Sequence, residues 1–308
     1  MASGDRLLLL DTASLYFRAF FGVPDSVKAP DGTPVNAVRG LMDFISRLVG
    51  EYDPTHLACC WDDDWRPQWR VDLLPSYKAH RVEAEVASAP DVEEVPDPLQ
   101  VQIPIIVEVL DAFGICVLGA DGYEADDVIG TLATGAGQPV DIVTGDRDLF
   151  QLVDDEADVR VLYIARGVGN HERVTNDWVR GKYDIDARQY ADFATLRGDA
   201  SDGLPGVAGV GEKTAATLLK RFDHVDGIVA AALDPASEMG PGPRGKIKQA
   251  SDYLEVAPRV VAVARDIDLG SPATALPRTP RDPDALLDLA QRYGLESPVE
   301  RLINTLAD

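Results

Sequence analysis

The sequence predicts an α/β fold with a mainly parallel central sheet flanked by helices. Short apolar runs typical of buried strands alternate with segments whose apolar residues recur at helical spacing. Acidic residues directly follow several of these runs, at the position where parallel strands deliver side chains to a binding edge. The chain has 308 residues, 45% of them hydrophobic, which is enough for one large α/β core and a second region.

The predicted elements follow one another in a regular order. Strands are expected at residues 6–10, 56–61, 115–118, 140–143, 159–163 and 172–174. Helices are expected at 35–49, at 105–113 and from 124 to about 134, because apolar residues repeat there with helical period. Residues 65–104 lack strong periodicity and are predicted to be an insertion. We therefore expect an α/β core over residues 1–185 and a helical region over residues 186–308.

Composition argues against several classes of protein. The apolar run at residues 7–10 is too short for a signal peptide or a membrane span. The three cysteines, Cys59, Cys60 and Cys116, show no paired spacing, so neither disulfides nor a zinc site are predicted. We expect a soluble cytoplasmic protein that does not contact a membrane.

The formal net charge of −23, read alone, argues against a nucleic-acid partner. Proteins that bind nucleic acid usually present a basic face to the phosphates. Part of the acid is concentrated in short patches, however, and bound cations would turn such patches from repulsive to attractive for phosphate. The local field, and not the total charge, decides binding.

Nine carboxylates lie in five short patches, each just after a predicted strand or at the start of a helix or loop. They are Asp11; Asp62; Glu124, Asp126 and Asp127; Asp146 and Asp148; and Asp199 and Asp202. Like charges this close cannot all stay ionised without compensation, and hard divalent cations prefer oxygen ligands. Together the patches predict a site for several metal ions. Each patch alone can also be explained by helix capping or an acidic turn.

A glycine-rich turn that opens a helix forms a second motif, at residues 204–216. Its exposed amides and basic residues predict contact with a phosphate backbone without reading bases, and the residues concerned are Gly206, Gly209, Gly211, Lys213 and Thr214. Glu212 separates Gly211 from Lys213, so the spacing of a nucleotide-binding P-loop fails and no nucleotide cofactor is expected. A plain glycine turn between packed helices is the alternative.

Aromatic and basic side chains alternate in the first part of the insertion. They are Trp65, Arg66, Trp69, Arg70, Tyr77, Lys78, His80 and Arg81. This pattern is typical of surfaces that stack on bases and pair with phosphates of single strands. For Trp65 and Trp69, packing of the rings on the sheet explains the pattern equally well, whereas residues 77–81 favour nucleic acid. The aromatic segment Tyr16, Phe17, Phe20 and Phe21 has the same two explanations, a junction contact or a core role.

These motifs, taken in order, resemble the structure-specific 5′ nucleases, that is, flap endonucleases and the 5′-exonuclease domain of bacterial DNA polymerase I. The matching segments are Leu-Leu-Leu-Asp11-Thr, Trp61-Asp62, residues 122–127, residues 144–148, residues 198–207 and Tyr77-Lys78-Ala79-His80-Arg81. The resemblance spans residues 6 to about 270. It departs from the family pattern at Thr12, where a glycine is usual, and at residues 63–66.

The resemblance implies a PIN-like nuclease core with a helical arch insertion at about residues 65–104 and a C-terminal helix-hairpin-helix subdomain. It implies two-metal hydrolysis with Mg²⁺ or Mn²⁺. The ligands would be Glu124, Asp126, Asp127 and Asp146 for one ion and Asp148, Asp199 and Asp202 for its neighbour, with Asp146 as the bridge. Asp11 and Asp62 would act as outer ligands, and Lys78 and Arg81 would stabilise charge on the reacting phosphate. Tyr77 and the glycine turn would bind DNA, with a K⁺ ion held at residues 207–210.

The implied substrate is DNA with 5′ flaps, nicks or 5′ ends, with RNA-primed strands as an open extension, cut by a monomer in replication and repair. Two rival functions remain. A related metal-dependent ribonuclease shares the early carboxylates but usually lacks the glycine turn. A non-catalytic DNA-junction binder would keep the turn and the insertion but would not need the nine acids.

Overall fold

A computed structural model describes residues 4–84 and 91–307. Within these residues the strands, in chain order, are β1 (Leu7–Asp11), β2 (His56–Cys60), β3 (Val82–Ala84), β4 (Val92–Glu93), β5 (Cys116–Leu118), β6 (Val140–Thr144), β7 (Val159–Tyr163) and β8 (Glu172–Val174). The main sheet has the order β5-β2-β1-β6-β7-β8, and all neighbours in it are parallel except the β7–β8 pair. The predicted α/β fold with a mainly parallel sheet is confirmed.

The helices cover both faces of the sheet and continue beyond it. They are α1 (Thr12–Gly22), α2 (Asn36–Tyr52), α3 (Gln68–Leu73), α4 (Asp97–Gln100), α5 (Ile103–Phe113), α6 (Ala125–Gly135), α7 (Asn176–Tyr183), α8 (Tyr190–Arg197), α9 (Glu212–Phe222), α10 (Val225–Leu233), α11 (Pro241–Gln249), α12 (Ser251–Val261), α13 (Pro283–Tyr293) and α14 (Glu296–Ala307). No helix in the described part of the chain is long and apolar enough to cross a membrane.

Strand β1 lies at the centre of the sheet, and this position explains why all its side chains but the last are apolar. Successive side chains of a strand point to opposite faces. Leu7 and Leu9 therefore pack into one core together with α6 and the helices that follow the sheet, while Leu8 and Leu10 pack into a second core with α2 and α5. Because β1 is buried on both faces, it has no polar side chain until Asp11, where the strand ends.

The C-terminal helices differ from the prediction. Residues 186–308 were expected to form one helical region, but α13 and α14 pack on the core face that α2 and α5 cover. Sequence periodicity identifies an amphipathic helix without identifying its partner, so this return to the core was not predictable. Helix α1 was also not predicted, because its N-terminal cap, Asp11, was interpreted only as a candidate ligand.

The described part of the insertion is only partly helical, in contrast to the helical arch that the resemblance implies. It begins with α3 and a 3₁₀ turn at Ala79–Arg81, continues as the antiparallel pair β3–β4, and ends with the short helix α4. Residues 85–90 of the predicted arch lie outside the described residues. The described part therefore forms a compact cover over the sheet edge.

The central position of β1 yields a stability prediction. Replacing the fully buried Leu9 by alanine should lower the free energy of unfolding by about 3 kcal/mol, because it removes buried methyl groups and leaves a cavity. Urea denaturation followed by circular dichroism measures this change. Leu287 of α13 is 55% exposed, so Leu287→Ala serves as the matched control and should stay within about 0.5 kcal/mol of the native chain. Equal losses in the two variants would contradict the two-sided burial of β1.

Candidate active site

Parallel strands deliver the first carboxylates to one edge of the sheet. Asp11 ends β1, Asp62 follows β2, and Asp146 follows β6. Asp11 is also the N-cap of α1, where one of its oxygens accepts a hydrogen bond from the Ser14 backbone N–H at 3.1 Å. Its other oxygen accepts from the Thr144 hydroxyl at 2.7 Å. The backbone therefore fixes the orientation of Asp11.

A cleft of about 1000 Å³ opens at this edge. Its lining includes the carboxylates of Asp11, Asp62, Glu124, Asp126, Asp146 and Asp199 and the basic groups of Arg18, Lys78, Arg81 and Arg147. A cavity of about 10 Å³, the size of a single water molecule, is lined by Glu124, Asp126, Asp148 and Asp202. Eight of the nine predicted acids thus line the cleft or this cavity.

Asp127 does not fit its predicted place among the metal ligands. It is fully buried, and its two oxygens accept hydrogen bonds from the Arg70 guanidinium, both at 2.7 Å. The backbone N–H groups of Ala264 and Glu124 donate to the same carboxylate. With two donors on each oxygen, Asp127 is a structural carboxylate that ties the insertion to α6.

Glu124 is surrounded by donors from the insertion. Its Oε1 accepts from the Tyr77 hydroxyl at 2.7 Å and from Arg70 at 3.0 Å, and its other oxygen pairs with the Lys78 ammonium. Tyr77 is only 5% exposed, so its ring cannot stack on DNA, and the prediction that it binds DNA is wrong in this arrangement. Tyr77 instead orients Glu124.

Two further acids of the site are each paired with one arginine. Arg81 donates to Asp202 Oδ1 at 3.1 Å and to the Ser201 carbonyl at 2.7 Å. Arg197 donates to Asp199 Oδ2 at 3.1 Å. The Arg81 contacts hold the loop after α8 against the insertion, whereas the Arg197–Asp199 pair lies within the end of α8 and that loop.

Several carboxylates of the site are poorly compensated, and burial affects even Asp202, which is paired with Arg81. Burial, together with neighbouring acids, raises the pKa of Asp126, Asp146 and Asp148. Burial raises the pKa of Asp62 to about 7 and that of Asp202 to about 6. Moreover, Asp148 Oδ1 is buried without any hydrogen-bond partner in the described structure. A buried acceptor without a donor, among crowded hard oxygen ligands, fits divalent cations.

The side chains are not yet arranged as a coordination shell. Within residues 4–84 and 91–307, no three His, Cys, Asp or Glu side chains converge on one point in a way that would hold a metal ion. Three of the candidate acids are already paired with basic side chains, Glu124 with Lys78, Asp202 with Arg81 and Asp199 with Arg197. A cation that used these three acids would replace those partners.

The predicted glycine turn connects α8 to α9. Gly206 and Gly209 have φ angles of 65° and 72°, and a Cβ at Gly206 would lie 2.6 Å from the Arg197 backbone, so both positions need glycine. Gly211 caps α9, and Gly209, Gly211 and Lys213 are exposed. Thr214 is half-buried in the first turn of α9. The turn thus presents backbone and a lysine to solvent, as predicted for a phosphate contact.

The aromatic and basic residues at the start of the insertion face inward. Arg66 and Arg70 are 7% and 2% exposed and donate to protein acceptors. The Trp65 and Trp69 indoles donate to backbone carbonyls of Asp91 and Gly122. Neither predicted explanation fits Arg66 and Arg70, because both guanidinium groups are buried in the protein. Trp65 and Trp69 are half-buried, and Trp65 also lines the cleft. His80 is exposed, and Arg81 is partly accessible at the cleft.

The N-terminal aromatic segment divides between the two predicted roles. Phe21 is 74% exposed and lines the cleft together with Phe17, whereas Tyr16 packs against Trp61 at a ring distance of 5.9 Å. The exposed ring at the mouth of the cleft is compatible with the junction contact, and Tyr16 belongs to the core.

Two features of the site were missed in the sequence. Arg70 was placed among candidate nucleic-acid contacts, although the acids that it neutralises, Glu124 and Asp127, lie 54 and 57 residues away. Arg147, between Asp146 and Asp148, was not considered at all. No local pattern marks either residue, since only the fold shows which acids and which space they face.

Comparisons with known proteins give matches over nearly the whole chain. A family model described as "5′-3′ exonuclease, N-terminal resolvase-like domain" matches residues 6–184, and one described as "5′-3′ exonuclease, C-terminal SAM fold" matches residues 185–284. The chain is 60% identical over 299 residues to a 5′-3′ exonuclease of Streptomyces coelicolor, covering 97% of this chain and 99% of that one. It is 53% identical over 309 residues to a 5′-3′ exonuclease of Mycobacterium tuberculosis, covering 97% of each.

Among solved structures, the chain is similar to the bacteriophage T5 flap endonuclease in its complex with DNA and metal ions. The TM-score is 0.64 at 18% identity, covering 98% of this chain and 100% of that chain. The likeness at this identity establishes the fold. Together with the family models, it confirms the resemblance that the ordered motifs indicated.

The Arg70 network yields a prediction about stability. Arg70→Ala should lower the free energy of unfolding by about 3 kcal/mol, because it leaves Asp127 buried without a cation and removes one of the two cations at Glu124. Thermal and urea unfolding measure the loss. Arg180→Ala breaks an exposed pair with Asp186 and should cost less than about 1 kcal/mol. If Arg70→Ala were as mild as this control, the buried pair would not hold the insertion in place.

Proposed function

Because this chain belongs to the 5′-3′ exonuclease family, we propose that it hydrolyses phosphodiester bonds of DNA at 5′ ends, nicks and 5′ flaps with the help of divalent metal ions. The observation that carries the proposal is the gathering of carboxylates from five separate segments in and behind one cleft, several of them without a compensating cation. A binding protein has no need to bear this electrostatic cost at the sheet edge.

The donor set supports Mg²⁺ or Mn²⁺ because every candidate ligand is a carboxylate oxygen. We propose that Asp126, Asp146, Asp148, Asp199 and Asp202 hold two such ions, joined by Glu124 when Lys78 leaves it. In the two-metal mechanism these ions supply an activated water molecule and neutralise charge on the attacked phosphate.

The residues of the chain itself orient the reacting groups. Asp11 is held by Thr144 and by the first turn of α1, and Asp62 accepts from the Ala125 N–H at 2.8 Å, so both present a fixed oxygen to the cleft. Lys78 and Arg81 line the same cleft and are paired with Glu124 and Asp202. Exchange of these acids for a DNA phosphate would place both cations on the scissile group, where they stabilise developing charge.

The glycine turn would contact the phosphate backbone of the duplex next to the cleft. Exposed Gly209 and Gly211 allow close approach, and Lys213 adds a charge in the first turn of α9. Lys246 donates to the Gly209 carbonyl at 2.7 Å, so a K⁺ ion at residues 207–210 would compete with this ammonium for one of its ligands. We further propose a monomeric cytoplasmic enzyme that acts in replication and repair, with RNA-primed 5′ strands among its substrates.

The central test compares cleavage of a labelled 5′-flap duplex by the native chain and by Asp148→Asn. Asparagine keeps the size of the side chain and removes its charge. We expect cutting near the junction in Mg²⁺ or Mn²⁺, no cutting in EDTA, and a loss of at least about 100-fold in the variant. Denaturing electrophoresis of the products measures all three.

Asp177→Asn is the matched control for charge, because Asp177 is 90% exposed and does not line the cleft. It should cut like the native chain. If the native chain bound the flap but released no product in either metal, the non-catalytic junction binder would replace the nuclease. If Asp148→Asn cut as fast as the native chain, Asp148 would not be a catalytic residue.

The glycine turn yields a prediction about DNA affinity. Lys213→Ala should weaken binding to all duplex sequences alike and reduce the slope of log Kd against log salt concentration by about 1, since one phosphate contact is lost. Fluorescence anisotropy across a salt series measures both. Lys182→Ala removes a lysine from α7, where it lies over the Trp178 ring, and should leave the slope unchanged. Identical slopes in both variants would exclude the turn as a phosphate contact.

A further inference from the structure

The basic residues of the cleft differ in how far acids already neutralise them. Lys78 is paired with Glu124, and Arg81 is paired with Asp202. Arg18 and Arg147 line the same cleft, yet neither forms an ion pair with any described residue. Two of the four cations are therefore available to a ligand without any exchange of partners.

Arg147 is the more open of the two arginines. Arg18 donates to the Ala165 carbonyl at 3.2 Å. For the Arg147 side chain, no hydrogen bond, ion pair or stacked ring is found within the described parts of the chain. The ionisable groups near Arg147 are Tyr190, Tyr183, Tyr163 and Asp199. An arginine side chain stays protonated in proteins, so Arg147 carries a positive charge. Of these groups, Asp199 is already bound by Arg197.

The backbone fixes the position from which the Arg147 side chain extends. Arg147 stands between Asp146 and Asp148, directly after β6, and precedes a 3₁₀ turn whose residues are buried. Tyr163 at the end of β7 also lines the cleft. Arg18 reaches Ala165, two residues beyond the end of that strand. Both arginines thus belong to the β7 side of the cleft, whereas Lys78 is bound at Glu124, before α6.

A buried or half-buried arginine without an acceptor is unusual, because its five N–H donors favour bidentate contact with carboxylate or phosphate. An acidic protein has many carboxylates that could have occupied this position, and none does. The cleft leaves room beside Arg147 for a ligand, and a phosphate of the DNA strand is the acceptor that the proposed function brings there.

We propose that Arg147, supported by Arg18, is a positioning residue that binds a phosphodiester group of DNA on the β7 side of the cleft, one distinct from the scissile phosphate. This inference rests on the proposed function and adds a residue that sets the placement of the strand. Lys78 and Arg81 act on the scissile group, and Arg147 holds the chain beside it. The contact forms in the ground state, so it contributes mainly to binding and not to the rate of the chemical step.

The test measures DNA affinity separately from cleavage. Binding of a fluorescent 5′-flap duplex is followed by anisotropy in Ca²⁺ across a salt series, and cleavage is followed in Mg²⁺ under single-turnover conditions. Arg147→Gln should raise Kd about 10-fold and reduce the salt slope by about 1. At saturating DNA its cleavage rate should fall far less than its affinity. Arg147→Lys should restore the salt slope but only part of the affinity, because an ammonium lacks the bidentate geometry.

Arg259→Gln is the matched control, since Arg259 is an exposed arginine of α12 that does not line the cleft. It should keep the native Kd and slope, and melting temperatures of all variants confirm folding. Native affinity and slope in Arg147→Gln would overturn the inference, as would equal losses in Arg259→Gln. If the native chain binds and Arg147→Gln does not, while neither cuts DNA, the contact stands and only the proposed hydrolysis fails.

Discussion

Mutual repulsion among carboxylates is the constraint on which the remainder of this structure depends. Parallel strands deliver Asp11 and Asp146 to the same edge of the sheet, and α6 adds Asp126 at its first turn. Such an edge is stable without metal ions only if cations or protons compensate the charge. The insertion supplies part of this compensation, because Arg70 and Lys78 both reach the start of α6. The basic side chains of the insertion and the acids of the sheet edge therefore stabilise one another.

The two cations from the insertion have different consequences. Arg70 makes a bidentate contact with a fully buried carboxylate, Asp127, and removing Arg70 would leave that carboxylate as a buried charge without a cation. Lys78 pairs with Glu124 at the wall of an open cleft. There, a metal ion is able to replace Lys78 at Glu124, and a phosphate is able to replace Glu124 at Lys78. The first contact holds the insertion in place, and the second is suited to exchange when substrate binds.

The sequence allowed prediction of the features that local pattern determines. Apolar runs located the strands, and acids after those runs located the site, because the ends of parallel strands meet at one edge. What each side chain contacts depends on partners remote in sequence. Tyr77 was expected to meet DNA, but its hydroxyl reaches Glu124, 47 residues away. Likewise, α13 and α14 carry the apolar stripe of any surface helix, and only the fold shows that α13 packs on α5 and α14 on α2. Tertiary pairing, and not propensity, accounts for both differences.

The net charge of −23 is compatible with a DNA substrate because charge acts over a short distance. At physiological salt the screening length is about 8 Å, so acids on distant surfaces repel a bound duplex weakly. Many acids are also paired within the protein, as Asp141 is with Arg6 and Arg160. In contrast, Arg147 in the cleft and Lys213 beside the glycine turn have no acidic partner among the described residues. An acidic exterior disfavours non-specific binding along a duplex. A phosphate is therefore expected to bind where positive charge is not neutralised, as it is in the cleft.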